Sequence, residues 1–184
     1  NHLRILIVDD EPMLRSVIEE FLDMMGYKDR AVAGNGQQAL QVIRSRPINC
    51  MLSDIRMPEM ELEEVLAVVR EQYPHIVVIA TSGYSDLESA SNIIEKGAHD
   101  FLGKPLDLQA LKASLSWIVE RAAILERAEQ LFGRQDGPAP DRQQARRQLA
   151  DYIRRRASVF SEKMQHALRT GELLEILQVE LEPD

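Results

Sequence analysis

Residues 4–10 read R-I-L-I-V-D-D, a short apolar run that ends in two adjacent aspartates. The run Arg4–Val8 shows no polar alternation, which indicates a β-strand buried on both faces, like the central strands of parallel sheets. The same reasoning along the chain predicts four further strands, at 29–33, 49–53, 76–80 and 99–102. Each strand is followed by a segment of a different character, and this alternation determines the fold class.

The segments between the strands have helical periodicity. Apolar residues recur every three or four positions from Met13 to Met25, and Gly26 is a typical C-terminal stop. Further helices are predicted from Asn35, over Leu62–Tyr73, over Asp86–Lys96 and from near Leu106. The chain is therefore predicted to be α/β, with a doubly wound, five-stranded parallel sheet and a C-terminal helical extension.

Three carboxylates follow two of these strands. Asp9 and Asp10 come after the first strand and Asp54 after the third. Crossovers in such sheets are right-handed, so the loops after the strands gather at one edge, where ligands bind. Carboxylates placed together disfavour one another's charge, and a hard divalent cation such as Mg²⁺ relieves this. The alternative is that each aspartate merely caps a helix or a turn.

Two more polar side chains are predicted at the same edge. Ser82 follows the fourth strand, and Lys104 follows the fifth strand in the segment G-K-P. Metal ligands, a carboxylate nucleophile, a hydroxyl and an ammonium are the parts that phosphoryl transfer onto an aspartate needs. The alternative is a turn hydroxyl and a solvated surface lysine.

The ordered motifs carry a family resemblance. They are V-D-D-E at 8–11, S-D-I-R-M-P at 53–58, S-G-Y-S-D at 82–86 and D-F-L-G-K-P at 100–105. In these motifs the chain resembles the receiver domain of two-component response regulators, which has the flavodoxin-like fold. The resemblance covers about residues 3–120. One departure is Leu62, which stands where the family usually has a glycine.

The resemblance implies a role for each motif. Asp54 is expected to be the phosphoacceptor, taking a phosphoryl group from a phosphohistidine on a sensor histidine kinase or a phosphotransfer protein. Asp9, Asp10, Asp54 and the backbone carbonyl of Arg56 are expected to hold Mg²⁺. The protein itself is then a switch in a phosphorelay and not an enzyme, apart from self-phosphorylation and self-dephosphorylation.

The remaining implied residues concern the response to phosphorylation. Ser82 and Lys104 are expected to contact the phosphoryl group, and Phe101 is expected to be the switch aromatic. The Lys104–Pro105 peptide bond is expected to be cis. The surface formed by residues 86–120 is expected to change shape and to be recognised by a partner or a second subunit.

The last receiver helix is predicted to be unusually long, over 106–132. Its apolar residues follow a heptad seam: Leu108, Leu111, Leu115, Ile118, Ala122, Leu125 and Phe132. Beyond residue 119 the seam has no sheet to cover, so a second helix must bury it. The favoured interpretation is a parallel coiled coil in a homodimer. The alternative is that the C-terminal helix of the same chain folds back.

The domain organisation predicted is a receiver at 1–120, a breaker-rich linker at 133–140 and a helical region at 141–184. The basic run R-R-R at 154–156 raises the alternative of a DNA-binding transcriptional regulator, although aromatic residues are sparse there. Another alternative is that the chain is the N-terminal part of a regulator with an enzymatic output domain.

Composition narrows the class of protein. Residues 1–132 carry the whole net charge of −8, which disfavours general nucleic-acid binding by this part. The single cysteine, Cys50, fits a reducing compartment, and no apolar run is long enough to cross a membrane. A cytoplasmic protein is therefore predicted. A phosphatase of the haloacid dehalogenase type is disfavoured, because it needs a second aspartate where Glu11 stands.

Overall fold

The computed structural model describes residues 3–83, 87–132, 142–156, 164–166 and 169. The chain forms two compact units, Asn1–Ser114 and Leu115–Asp184. The first unit ends six residues before the boundary predicted at 120. Among the described residues, no helix combines the length and apolar character needed to span a membrane.

The first unit contains a five-stranded sheet. The strands are β1 (Ile5–Val8), β2 (Arg30–Ala33), β3 (Cys50–Asp54), β4 (Val77–Ser82) and β5 (Asp100–Gly103). Their order in the sheet is β2-β1-β3-β4-β5, and every pair of neighbours is parallel. This is the doubly wound, flavodoxin-like sheet predicted from the sequence. The sequence analysis placed Asp54 and Ser82 just after their strands. In the structure they are the last residues of β3 and β4.

Helices alternate with the strands. They are α1 (Pro12–Met24), α2 (Gly36–Ser45), α3 (Leu62–Gln72), α4 (Leu87–Glu95), α5 (Leu108–Phe132) and α6 (Arg142–Arg156). Local chemistry explains several of the boundaries. Pro12 opens α1, and the Asn35 side chain caps α2 by accepting from the backbone of Gln38. Gly97 ends α4 with φ of +108°.

The core explains why the strands lack polar alternation. All four residues of β1 and all five of β3 are buried, because helices cover both faces of the sheet. Cys50 is fully buried in β3, as expected for a small apolar side chain. The sheet is therefore a rigid frame, and its carboxyl edge is where chemistry can be placed.

The second unit contains the later part of α5 together with α6. Ile124 and Ala128 of α5 are buried, as are Leu149 and Ile153 of α6, and residues of both helices line a shared cavity. The two helices therefore pack against each other, as the fold-back alternative expects, but the seam residue Ala122 stays exposed. The linker at 133–140 and the tail after residue 169 lie outside the described residues.

The predicted heptad seam is only partly buried within this chain. Leu111, Leu115 and Ile118 are buried, but Leu108 and Ala122 are exposed. Leu125 is half-buried, and the side chain of Phe132 is outside the described part. Beyond Ile118 the buried face is the one that carries Ile124, since α6 covers α5 on a different side from the seam.

Candidate functional site

The topology creates a crevice at the carboxyl edge between β1 and β3. The strand after β1 in sequence, β2, lies on one side of β1, and β3 lies on its other side. The connections that follow β1 and β3 therefore run in opposite directions across the sheet, which opens a crevice between these two strands. Asp9 follows β1 directly, and Asp54 ends β3. The register pairs Val8 with Ser53, which places the two aspartates at the same level of the sheet.

The three predicted acids do come together. Carboxylate oxygens of Asp9, Asp10 and Asp54 all lie within 4.8 Å of one another. Asp9 is only 1% exposed and Asp54 9%, whereas Asp10 is exposed to solvent. A cluster of hard oxygen donors with one open side fits Mg²⁺, which takes one or two carboxylates and keeps several waters. The donor set therefore suits the ion that the sequence predicts.

Lys104 supplies the positive charge of the cluster. Its Nζ lies 2.8 Å from Oδ2 of Asp9 and 2.5 Å from Oδ2 of Asp54. Burial lowers the pKa of the Lys104 ammonium, but hydrogen bonds to Asp54 and Asp9, and their charges, outweigh that effect. The net result is a pKa above the ordinary 10.5. Lys104 is therefore a fixed cation at neutral pH.

The strand register explains why Ser82 and Lys104 reach this edge. Asp54 pairs with Thr81 of β4, so Ser82 is the next residue along, and Ser82 in turn pairs with Gly103 of β5. The backbone N–H of Lys104 donates to the carbonyl of Ser82 at 2.7 Å. Ser82 is 4% exposed, and the Lys104–Pro105 peptide bond is cis. The ends of three neighbouring strands thus carry the three polar groups.

Comparison with known proteins agrees with this geometry. Residues 5–116 match the family model of the response regulator receiver domain. The chain belongs to the response regulator receiver family. The family predicted from the motifs is therefore confirmed.

Relatives of this receiver include much longer proteins. The chain is 34% identical over 132 residues to the DNA-binding transcriptional regulator NtrC of Proteus hauseri. The match covers 72% of this chain but 26% of that protein, so the chain spans about a quarter of its relative.

Solved structures show the same fold. A response regulator receiver domain protein from Clostridium thermocellum superposes with a TM-score of 0.62 and 26% identity, covering 67% of this chain and 98% of that one. The receiver domain of Ssk1 from Saccharomyces cerevisiae, crystallised with the histidine phosphotransfer protein Ypd1, gives 0.59. The Ssk1 match covers 62% of this chain and 87% of that one. Its sequence identity is 19%, so the similarity concerns the fold alone.

The receiver site also has contacts that sequence reasoning missed. Nη1 of Arg15 donates to the backbone carbonyl of Asp9 at 2.5 Å, and the backbone N–H of Glu11 donates to Oδ1 of the same aspartate at 2.9 Å. The first contact holds the backbone of Asp9, and the second orients its carboxylate. The one available signal was the position of Arg15, about one helical turn into α1.

Arg56 joins the receiver site through its backbone. Its N–H donates to Oδ1 of Asp54, at a long 3.3 Å. The loop that follows carries the departure at Leu62, which opens α3 fully buried and donates its N–H to the carbonyl of Ile55. The left-handed residue of this loop is Glu59 (φ of 70°) and not Leu62. A glycine is therefore not needed at position 62.

Phe101 lies in β5 beside the site. Its side chain is partly exposed and packs against the core cluster that includes Ala80 and Ile93. The neighbouring Asp100 carboxylate accepts hydrogen bonds from the Phe101 backbone and from the Ser114 hydroxyl of α5. Phe101 is therefore adjacent to the hydrogen bond that links β5 to α5. Residues 84–86 of the S-G-Y-S-D motif lie outside the described part.

Proposed function

We propose that this receiver accepts a phosphoryl group on Asp54 from a phosphohistidine of a sensor histidine kinase or a phosphotransfer protein. The observation that carries the proposal is the arrangement around Asp54, whose carboxylate lies beside an acid pair and against the ammonium of Lys104. An aspartate in that setting combines a nucleophile with the charges that phosphoryl transfer requires.

The transfer itself needs one open carboxylate oxygen. Oδ2 of Asp54 is held by Lys104, whereas the hydrogen bond to Oδ1 among the described residues is the long one from the Arg56 backbone. Oδ1 is therefore the oxygen proposed to attack phosphorus. The new O–P bond forms as the P–N bond to the donor histidine breaks, and the imidazole leaves with that electron pair.

Asp9, Asp10 and Asp54 are the residues that would hold Mg²⁺, with the backbone carbonyl of Arg56 as a further ligand. Bound there, the ion would supply a positive charge for the phosphoryl oxygens. Lys104 adds a second positive charge on the other side of the Asp54 carboxylate, and Arg15 with the Glu11 backbone keeps Asp9 oriented.

The phosphoryl group is proposed to act as a switch. It brings a charge of about −1.5 to −2 and new acceptor oxygens to Asp54. Lys104 already contacts Asp54, and its backbone N–H is hydrogen-bonded to the carbonyl of Ser82, so both residues are proposed to be drawn toward the phosphoryl group. A shift at Ser82 is transmitted through β5 to Phe101 and to α5, which changes the surface around residues 86–120.

The donor is proposed to dock on α1. Met13 is 81% exposed, Val17 37% and Met24 70%, and their spacing of four and seven residues puts them on one side of the helix. An exposed apolar stripe beside a reactive edge is typical of a partner surface. Met13 lies four residues after Asp9, at the end of the stripe nearest the acids.

The output is proposed to involve the C-terminal helices. A homodimer through α5 is supported by the seam residues Ala122 and Leu125, which α6 does not fully cover. A cytoplasmic location is supported by the buried free thiol of Cys50, which suits a reducing compartment.

A second candidate output is DNA binding through α6. It is favoured by the run Arg154–Arg156, exposed on α6, and by the similarity to NtrC. Neutralising the three arginines would abolish salt-dependent retention of DNA by the protein. The alternative is an enzymatic output domain elsewhere in a longer protein. It is supported by the length of NtrC, of which the match covers 26%.

The proposal is tested with acetyl phosphate and Mg²⁺, followed by intact mass and size-exclusion chromatography. The wild-type protein should gain one phosphoryl group and change its elution volume. Asp54→Asn should do neither, and the matched variant Asp29→Asn, far from the cluster, should behave as the wild type. Equal labelling of Asp54→Asn would overturn the proposal.

A further inference from the structure

The second unit contains a basic groove that the phosphoacceptor chemistry does not use. A cavity of about 380 Å³ lies between α5 and α6, and its lining includes three arginines, Arg127, Arg155 and Arg156, with Tyr152 among them. A second cavity of about 340 Å³ shares Arg127 and Tyr152 with the first. The two cavities thus form one groove, which we call the α5–α6 groove, with Tyr152 between its halves.

The arginine-rich half has the chemistry of a phosphate site. Guanidinium groups bind phosphate oxygens with two N–H groups at once. Nη1 of Arg127 donates to Gln130, but its Nε is enclosed and has no hydrogen-bond partner among the described residues. A buried N–H without an acceptor costs free energy, which a ligand oxygen would recover. The acid in this half, Asp151, is already paired with Arg154 at 3.7 Å.

The other half suits an aromatic base. Tyr152 offers a ring on which a base can stack, and the guanidinium of Arg156 lies 5.4 Å from the centre of that ring. Beyond the ring, Glu126 and Gln130 line the second cavity and provide hydrogen-bonding groups for the edge of a base. The volumes of both cavities lie in the range of small-molecule sites.

We propose that the α5–α6 groove binds a free nucleotide, with its phosphate on Arg127, Arg155 and Arg156 and its base on Tyr152. A free nucleotide fits better than a nucleic acid strand because the rest of the chain is acidic. The net charge of −8 repels the many phosphates of a polymer, whereas a single nucleotide meets only the groove. The proposed site is independent of Asp54.

Isothermal titration of the full chain with GMP and AMP tests the proposal, with inorganic phosphate, guanosine and a short single-stranded oligonucleotide as comparison ligands. At least one of the two nucleotides should bind, and more tightly than phosphate or nucleoside alone. Arg155→Ala and Tyr152→Leu should each weaken that binding about tenfold. Tyr152→Phe, which keeps the ring, should retain it, and circular dichroism checks that the variants fold.

Arg147→Ala is the matched control, because it removes the same charge from an exposed position of α6 that is not among the described residues lining the groove. It should change nucleotide affinity less than about twofold. Equal weakening by Arg147→Ala would mean diffuse charge attraction and would overturn the proposal. Tighter binding of the oligonucleotide, or no nucleotide binding at millimolar concentration, would overturn it as well. Asp54→Asn should still bind the nucleotide, so failure here is separate from failure at the phosphorylation site.

Discussion

The ammonium of Lys104 lies 2.5 Å from a carboxylate oxygen of Asp54, although the two residues are 50 positions apart in the chain. The parallel register from β3 through β4 to β5 creates this contact, since it aligns the ends of the three strands. The same ammonium holds Asp9 at 2.8 Å. A single cation thus balances two acids that would otherwise repel each other in a buried crevice.

Replacing Lys104 should therefore destabilise the fold. Lys104→Met leaves the carboxylates of Asp9 and Asp54 without their cation, and the free energy of unfolding should fall by about 3 kcal/mol in urea titrations without metal. Excess Mg²⁺ should restore part of this loss. The control is Lys28→Met, whose exposed pair with Asp23 should contribute far less to stability. Equal effects of the two substitutions would contradict the assigned role of Lys104.

Asp10 allows the metal site to be tested without disturbing the core. Its carboxylate is exposed yet belongs to the cluster, so Asp10→Asn should leave stability unchanged and weaken Mg²⁺ binding about tenfold. Calorimetric titration of Mg²⁺ measures the affinity. Glu11→Gln is the matched control. Glu11 is the next residue in the chain, and its exposed side chain carries the same charge but does not belong to the cluster. If both variants lose the same affinity, the cluster does not hold the ion.

Much of this site could be predicted from the sequence. The apolar run before Asp9 and Asp10 and the one before Asp54 identified buried parallel strands, and the topology of such sheets brings their ends together. The role of Arg15 could not be predicted, because a side chain that bonds a backbone carbonyl leaves no pattern in the sequence. The fate of the seam on α5 could not be predicted either. Its burial depends on which side α6 packs against, and apolar spacing on one helix does not determine that.

The apolar stripe on α1 should matter for a protein donor and not for a small one. Met13→Glu places a charge in the proposed interface, so phosphotransfer from a phosphorylated histidine phosphotransfer domain should slow about tenfold, as measured by donor dephosphorylation. Labelling by acetyl phosphate should be unchanged. Ile94→Glu makes the same chemical change at an exposed position on α4 and should leave transfer at the wild-type rate. Slowing by both variants alike would argue against docking on α1.

Cys50 should make the stability fall at alkaline pH. Burial raises the pKa of its thiol from 9.0 to about 12, so the folded protein keeps the proton while the unfolded chain loses it above pH 9. The contribution is complete below pH 9 and is lost as the pH rises toward 12. Between pH 8 and pH 10 the free energy of unfolding should fall by about 1.4 kcal/mol more than in Cys50→Ala.

Two other groups contribute to this alkaline loss, but at higher pH. Burial raises the pKa of Tyr27 above 10.0, and Lys104 has a pKa above 10.5, so most of their loss falls above pH 10. Both groups are also present in Cys50→Ala, so the difference between the two proteins at pH 8, 9 and 10 isolates the thiol. Parallel pH profiles of the wild type and Cys50→Ala would show that the thiol is not buried as described.

The central claim is that Asp54, and neither of its acidic neighbours, receives the phosphoryl group. Peptide-level mass spectrometry of the protein labelled with acetyl phosphate and Mg²⁺ tests it most directly, since Asp54 lies far in sequence from Asp9 and Asp10. The account predicts the modification on the peptide that contains Asp54 and its disappearance when Mg²⁺ is chelated before labelling. A phosphoryl group on the peptide with Asp9 and Asp10 would contradict it.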